Sequence, residues 1–172
     1  MDSHSPVVPI HSRITLMVLA FLFCSVATNV SAQQAKPNLS GTWKVNLSKS
    51  KPARQHGPGG ERYKIKHSDP RLEIELTFDG RSETYTYITD GKERTANASL
   101  RDGTTQAKAY WDSDTLVIEK HQAIRFQDVG AFVSISHYTL SQDGKSLAVT
   151  HHVNKSSFSA AFDESLTYEK QQ

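Results

Sequence analysis

The amino-acid sequence predicts an all-β protein, an antiparallel up-and-down β-barrel of about eight to ten strands. From Glu61 to Lys170, nearly every apolar stretch alternates with polar residues at a period of two, as in half-buried strands. Short turns separate these stretches, at Asp69-Pro70, Asp79-Gly80, Asp90-Gly91, Asp102-Gly103, Asp112-Ser113 and Asp143-Gly144. Two-residue hairpin turns need a positive φ angle, which Gly and Asp tolerate. Successive hairpins build a meander, and a long twisted meander tends to close on itself.

Ten segments carry the strand pattern, and all but the first two are joined by short loops. The loop 47–60 is long, basic and rich in Gly and Pro, a composition that excludes a helix of any length. It is either a flexible surface connection or a mobile flap over one end of the barrel. The predicted strands are 40–46, 61–67, 72–78, 81–89, 92–100, 104–111, 115–121, 131–140, 146–153 and 159–169.

The N-terminal segment has the layout of a secretory signal. Arg13 precedes an apolar run from Ile14 to Ala27, and the small residues of Val30-Ser31-Ala32 suit cleavage after Ala32. The run is too short to cross a hydrocarbon core about 30 Å thick, so we expect no integral membrane anchor. Residues 1–32 are therefore predicted to be removed, which leaves 33–172 as a single β-barrel domain. The protein is expected to be secreted or periplasmic.

Charge and cysteine content limit the partners and the source of stability. The net charge of +2 is too mild to indicate nucleic-acid binding. Cys24 is the single cysteine and lies in the signal, so the mature chain forms no disulfide. Its stability must come from a hydrophobic core, which a chain of this length can bury. We expect a monomer.

Turn positions set the strand registers, and the registers set which side chains face inward. The turn at Asp79-Gly80 pairs Leu72 with Tyr87 and Ile74 with Tyr85. Continuing through Asp90-Gly91 pairs Tyr87 with Arg94, and continuing through Asp102-Gly103 pairs Arg94 with Trp111. The inner face then has an apolar part, a patch of four alanines and a polar part. The alanines are Ala96, Ala98, Ala107 and Ala109.

The composition of this inner face indicates a hydrated cavity with an apolar end and a polar end. A solid core seldom holds several charges, because an unpaired buried charge costs several kcal/mol. Four adjacent alanines also fail to fill a barrel interior. The polar part contains Glu83, Arg94, Lys120, Ser134, Ser136 and His151, with Tyr85, Tyr87 and Trp111 beside it.

Two terminal motifs resemble those of the calycin β-barrels. Gly41-Thr42-Trp43 is similar to the Gly-x-Trp opening of lipocalins and fatty-acid-binding proteins, in which the Trp plugs the closed end. Tyr168-Glu169-Lys170 resembles the ending of fatty-acid-binding proteins. The chain is most similar to small exported bacterial lipocalin-like proteins. The matching pieces are Leu39-Ser40-Gly41-Thr42-Trp43-Lys44-Val45-Asn46, His67-Ser68-Asp69-Pro70, Thr89-Asp90-Gly91-Lys92 and Thr139-Leu140-Ser141-Gln142-Asp143-Gly144-Lys145.

The sequence departs from these families where they hold their ligands. Fatty-acid-binding proteins carry an Arg two residues before the final Tyr, and Leu166 stands there in this chain. Their helical lid between the first two strands is replaced by the Gly/Pro-rich loop, and the disulfide common in lipocalins is absent. The resemblance implies the barrel and leaves the ligand open.

Two cations of the predicted inner face are candidates for an anionic head group. Arg94 and Lys120 would attract a carboxylate strongly inside a water-poor pocket. The alternative for Arg94 is that it pairs with Glu83 or lies at the rim. The predicted ligand-binding residues are Tyr85, Tyr87, Arg94, Trp111, Lys120, Ser136 and His151.

Metal, haem and catalytic sites have weak support. His151 and His152 are successive on a strand and face opposite ways, while His137 and His152 share the outer face. His151 is either a hydrogen-bonded lumen histidine or a haem ligand, and we predict no cofactor. Ser134 or Ser136 beside His151, with Glu164 as a third member, is the nearest approach to a nucleophilic site. We predict no catalytic residue.

These observations predict an exported, non-enzymatic binding protein for a small lipophilic or amphipathic ligand in the barrel lumen. The alternative is an envelope or extracellular protein with a filled barrel. Such a protein would bind another macromolecule through its rim or outer face.

Overall fold

The computed structural model describes residues 35–53, 60–78, 80–99, 103–123, 132–155 and 160–172. The predicted signal, 1–32, lies outside these residues and stays a prediction. The strands of the described residues are Gly41–Val45 (β1), Arg62–Ser68 (β2), Arg71–Phe78 (β3), Arg81–Ile88 (β4), Arg94–Ser99 (β5), Gly103–Asp112 (β6), Thr115–Ala123 (β7), Phe132–Leu140 (β8), Ser146–Val153 (β9) and Phe162–Lys170 (β10). A 3-10 turn follows β1 at Leu47–Lys49.

The ten strands form one antiparallel sheet that curls into a nearly closed barrel. Their order is β4-β3-β2-β1-β10-β9-β8-β7-β6-β5, so each neighbour in the sheet is also a neighbour in sequence, apart from the junction of β1 with β10. This is the up-and-down arrangement that the alternating pattern predicts, and the fold class is confirmed. The largest boundary error is at β10, predicted from residue 159 and observed from Phe162. Within the described residues, no helix is long and apolar enough to cross a membrane.

The turn at Asp90-Gly91 does not form the hairpin that we expected. Strands β4 and β5 end the sheet order, and no ladder joins them in the described residues. The Asp90 side chain instead stabilises the turn after β4: its Oδ1 accepts a hydrogen bond from the backbone N–H of Lys92 at 3.1 Å. The chain then bonds to β6, where the Gly91 N–H donates to the Ala109 carbonyl at 2.9 Å. The predicted pairing of Tyr87 with Arg94 is therefore wrong.

The register of β5 on β6 also differs from the prediction. Arg94 lies opposite Ala107 rather than Trp111, and Ser99 lies opposite Gly103. Because β5 ends at Ser99 and β6 begins at Gly103, the connection comes earlier than the expected Asp102-Gly103 turn. A bulge between Thr95 and Asn97 shifts the pairing further. The predicted register of β3 on β4 is observed, with Leu72 opposite Tyr87 and Ile74 opposite Tyr85. Farther along the sheet, Trp111 lies opposite Leu116, Ser136 opposite His151 and Tyr138 opposite Val149.

One end of the barrel is sealed by the Gly41-Thr42-Trp43 motif. Trp43 and Leu39 are fully buried, and the Trp43 Nε1–H donates to the Leu39 carbonyl at 3.0 Å. Gly41 has a φ of 150°, and a Cβ at this position would lie 2.7 Å from Cε of Lys170. The ammonium of Lys170 in turn lies 5.3 Å from the Trp43 ring centroid. The buried Trp43 and Leu39 close this end, and a side chain in place of Gly41 would have to displace Lys170.

Candidate functional site

The inward-facing side chains of β3 become more exposed along the strand. Leu72 is 0 % exposed and Ile74 is 3 % exposed, whereas Leu76 and Phe78 are half-buried. All four lie on the same face, because side chains alternate along a strand. The interior is therefore sealed near Trp43 and opens toward the far end of β3.

Strand β4 repeats this gradient. Tyr87 and Tyr85 are buried, but Glu83 and Arg81, which follow on the same face, are exposed. We call this opening, formed by Leu76, Phe78, Arg81 and Glu83, the mouth. On the β9–β10 side the interior residues at this end stay covered, since Val153 and Glu164 are each 4 % exposed.

A cation lies just inside the mouth. Lys120 is half-buried, and its Nζ lies 4.7 Å from the ring centroid of Tyr85. The Tyr85 hydroxyl in turn donates a short hydrogen bond to the Glu83 carboxylate. A cation above an aromatic ring gains roughly 0.5–2 kcal/mol, which holds the ammonium toward the ring. The structure thus brings two predicted site residues, Lys120 and Tyr85, together where a ligand would enter.

Arg94 does not belong to this group, although it lies opposite the inward-facing Ala107 at the start of β5. Its side chain is exposed, and its Nη1 and Nη2 lie 2.5 and 2.7 Å from the two carboxylate oxygens of Asp90. These hydrogen bonds lower the pKa of Asp90 to about 2. Arg94 pairs with Asp90 rather than with Glu83, because the turn at Asp90-Gly91 puts the Asp90 carboxylate next to the first residue of β5.

The alanine patch faces inward as predicted, as far as it is described. Ala96, Ala107 and Ala109 are buried in the main core, while the side chain of Ala98 lies outside the described residues. Ala107 lies directly opposite Lys120, and Ala109 lies opposite Ile118. Small side chains therefore line the wall that descends from Lys120.

Trp111 lies at the sealed end, away from Lys120. It is half-buried, its Nε1–H donates to Asp69 Oδ1 at 3.1 Å, and its ring lies 5.7 Å from that of His67. Burial lowers the pKa of His67, and a hydrogen bond from Thr89 is the main cause of a lowered pKa at Asp69. We expected Trp111 beside the polar part of the inner face and opposite Arg94, but Arg94 lies opposite Ala107, so Trp111 and Arg94 are not paired.

Tyr87 is a buried core residue beside Tyr85. The two rings are stacked with centroids 6.2 Å apart, and burial raises the pKa of Tyr87 well above its usual value. Tyr87 lies deeper than Tyr85, as the exposure gradient along β4 requires. It can contact an apolar group below the mouth.

Ser136 and His151 face each other across β8 and β9. Ser136 Oγ lies 2.7 Å from His151 Nδ1, and Ser136 is buried while His151 is half-buried. Glu164 is the strand neighbour of His151 on β10. The predicted pairing of these side chains inside the barrel is therefore observed, without showing any role in binding.

Sequence reasoning missed a second set of buried polar side chains. The Tyr168 hydroxyl donates to Glu61 Oε1 at 2.6 Å, and Glu61 is 1 % exposed. The Tyr168 ring lies 4.7 Å from that of Tyr63, which lies 6.2 Å from that of Tyr138. The spacing Glu61-x-Tyr63-x-Ile65 was a usable signal, because it puts all three on one face of a strand.

The histidines of the outer face form no metal site in the described part of the chain. There, no group of three or more His, Cys, Asp or Glu residues is placed to hold a metal ion. His137 and His152 are exposed, as predicted. His152 Nδ1 lies 2.6 Å from Asp163 Oδ1, and this hydrogen bond raises the pKa of His152.

Comparison with known proteins identifies solved structures with a similar fold. No family model matches the chain, and no curated protein matches it. A secretory abundant heat soluble protein from Ramazzottius varieornatus is similar in structure with a TM-score of 0.56 and 14% identity, covering 79% of this chain and 98% of that one. A protein described as the REP1-NXSQ fatty acid transporter has a TM-score of 0.51 and 9% identity, covering 78% and 96%. Lipid binding protein 8 from Caenorhabditis elegans has a TM-score of 0.50 and 9% identity, covering 77% and 94%.

These likenesses concern the fold alone, since the identities are low. They confirm the resemblance to calycin-like barrels that the terminal motifs indicate. The similarity covers nearly the whole length of each of these three proteins.

Proposed function

We propose that this protein binds a small lipophilic or amphipathic molecule inside the barrel and does not transform it chemically. The observation that carries the proposal is the exposure gradient of the interior. Inward-facing side chains are sealed and apolar near Trp43, and they become exposed and charged at the mouth. Binding sites for small molecules are typically apolar pockets with a few placed polar groups.

The apolar part of the ligand would lie along the small side chains of β5 and β6. Ala107 and Ala109 put small side chains on this wall, and Ile118 and Leu116 extend the apolar surface toward the sealed end. The polar end of the ligand would meet Lys120 and Tyr85, which face each other just inside the mouth. Burial of apolar surface contributes roughly 25 cal/mol per Å². The apolar part of the ligand would therefore supply most of the binding free energy.

The structural neighbours support a role of this class. Two of them are described as a fatty acid transporter and a lipid binding protein, and neither description is of an enzyme. We further propose that the protein is exported to the periplasm or the medium and acts as a monomer. The signal pattern of residues 1–32 supports export.

A second candidate is binding of another macromolecule on the outer face. It is favoured by a hollow of about 440 Å³ beside Leu47, which is 45% exposed. Lys44, Asn46 and Glu169 also line this hollow. Such a protein would need no ligand in the barrel.

Displacement of a fluorescent fatty acid separates the two candidates. The purified protein is titrated with the probe, and stearate is then added as a competitor. Saturable and displaceable uptake supports the binding of a lipophilic ligand in the barrel. Absence of uptake would overturn that proposal and favour the outer-face candidate.

A further inference from the structure

The segment before β1 is held against the sealed end of the barrel by one histidine of β2. The His67 side chain is 3 % exposed, and its Nδ1 accepts a hydrogen bond from the backbone N–H of Leu39 at 3.3 Å. The His67 backbone holds the next residue, because Ser40 Oγ donates to the His67 carbonyl and accepts from the His67 N–H. The carbonyl of the buried Leu39 accepts the indole N–H of Trp43. The His67 ring therefore belongs to the closure of this end.

The hydrogen bond from Leu39 defines the protonation state of the His67 ring. A backbone N–H can only donate, so Nδ1 is the accepting nitrogen and carries no proton. The single ring proton of the neutral histidine then lies on Nε2. Nε2 is buried, lies 3.8 Å from Asp69 Oδ1, and has no hydrogen-bond partner among the described residues. The contact between Leu39 and the ring thus exists only while His67 is neutral.

A second proton on the His67 ring would remove this contact. An imidazolium donates from both of its nitrogens, so a proton on Nδ1 would face the N–H of Leu39, which is also a donor. The positive charge would also lie in a buried position, which disfavours the charged form. Burial lowers the pKa of His67, and this effect exceeds those of Asp69 and the Pro37 carbonyl, which raise it. The folded protein therefore favours the neutral ring.

Three charged residues lie around the His67 ring. Asp69 follows β2, and its Oδ1 already accepts the indole N–H of Trp111. Lys36 comes from the segment before β1, and its Nζ lies 6.0 Å from the centroid of the Trp111 ring. Arg71 begins β3, and its side chain is exposed. Of these three groups Asp69 is the one that favours a charged ring, and its attraction does not outweigh burial.

We propose that His67 makes the closure of the sealed end sensitive to pH: protonation of its ring breaks the contact with Leu39 and loosens the segment before β1. Trp43 should loosen together with Leu39, since the Leu39 carbonyl accepts its indole N–H. This inference concerns the closed end of the barrel and does not depend on the proposed function.

The lowered pKa of His67 sets the direction of the pH dependence. Once the segment has opened, His67 titrates near its ordinary pKa of about 6.5. The contact is therefore complete above about pH 6.5 and weakens as the pH falls toward the lower pKa of the closed state. Uptake of one proton on opening makes opening up to about tenfold more favourable per pH unit in this window. Ordinary carboxylates titrate near pH 4, so their contribution comes at lower pH.

Hydrogen exchange followed by NMR between about pH 7 and about pH 5 tests the inference on the purified protein. The exchange rates of the Leu39 amide and the Trp43 indole N–H, corrected for the intrinsic rate, give the equilibrium constant of opening. In wild type this constant should rise by up to about tenfold per pH unit below pH 6.5. In His67→Gln it should stay constant, because the glutamine Oε1 can accept from Leu39 and the side chain does not titrate. His137→Gln is the matched control, since His137 is exposed on the outer face, and it should behave like wild type.

Amides of β8 and β9 show whether the opening is local. Unchanged protection of these amides, with the expected changes at Leu39 and Trp43, supports the inference. Opening that does not depend on pH in wild type, or that depends on pH equally in His67→Gln, overturns it. A parallel loss of protection in β8 and β9 also overturns it, because the whole barrel would then unfold.

A second measurement decides the matter if His67→Gln does not fold. The ring nitrogens of His67 and the amide of Leu39 are titrated together by NMR in wild type. The inference requires the proton on Nε2 at neutral pH and a Leu39 amide shift with the same midpoint as the ring. A Leu39 amide that does not follow the ring, or a neutral ring with its proton on Nδ1, overturns the inference.

Discussion

The ammonium group of Lys120 lies 4.7 Å from the centre of the Tyr85 ring, and the Tyr85 hydroxyl donates to Glu83. The two residues come from β7 and β4, which lie on different parts of the sheet and face each other across the interior. A positive charge is thereby held inside the mouth next to an aromatic surface. This arrangement suits the charged end of an amphiphile better than either residue alone.

Replacing Lys120 by Met should weaken fatty-acid binding by about three- to tenfold, because one charge-assisted contact is lost while apolar contacts remain. Displacement titrations with stearate measure the effect. Lys64→Met is the matched control, since Lys64 is exposed on the outer face of β2. Equal losses in both variants would show that Lys120 acts only through overall charge.

Replacing Arg94 by Ala should leave fatty-acid affinity unchanged, because the guanidinium is exposed and held by Asp90. The pKa of Asp90 should rise from about 2 toward its usual value once its partner is removed. Because the folded-state pKa is lowered, the stabilisation by this pair is present above the unfolded pKa of about 4 and lost as the pH falls toward 2. Carboxyl NMR titrations of wild type and variant check both statements. A lower fatty-acid affinity of the Arg94→Ala variant would instead show that Arg94 contributes to ligand binding.

Gly41→Ala should destabilise the barrel by about 1–3 kcal/mol, because alanine is strained at this φ and its Cβ would meet Lys170. Urea unfolding measures the change. The double variant Gly41→Ala/Lys170→Ala separates the two causes, since it relieves the steric contact and keeps the backbone strain. Full recovery in the double variant would contradict the argument from φ.

Tyr168→Phe should destabilise the protein by about 1–3 kcal/mol, because the buried Glu61 carboxylate loses the hydroxyl that donates to it. The effect should shrink in a Glu61→Gln background, where a neutral side chain loses less when the hydroxyl is removed. Tyr110→Phe on the outer face is the control and should cost less. Equal effects of the two Tyr→Phe changes in urea unfolding would count against a special role for the buried pair.

The barrel could be predicted from sequence because local turn chemistry and strand alternation agree over most of its length. Asp79-Gly80 gave the right register because both flanking strands pair with each other immediately. Asp90-Gly91 has the same two residues, but there the Asp side chain binds Lys92 and Arg94, and the following strand has a different neighbour. The two turn residues alone therefore do not determine which strand the following strand pairs with.

The candidate site was predicted less well for the same reason. Lys120 and Tyr85 were placed correctly because their registers follow from nearby turns. The pairings of Arg94 with Tyr87 and with Trp111 were wrong because they depend on two consecutive registers, and both of those registers differ from the prediction. The pairing of Glu61 with Tyr168 joins the two ends of the barrel sequence, and no local pattern predicts contacts between such distant segments.

The described residues show no ladder between β4 and β5, and these two strands end the sheet order. Every other pair of neighbouring strands in the described sheet is joined by backbone hydrogen bonds. If a ligand enters the barrel as we propose, separating β4 from β5 would break no ladder hydrogen bond, so we expect the barrel to widen more readily on this side than on any other.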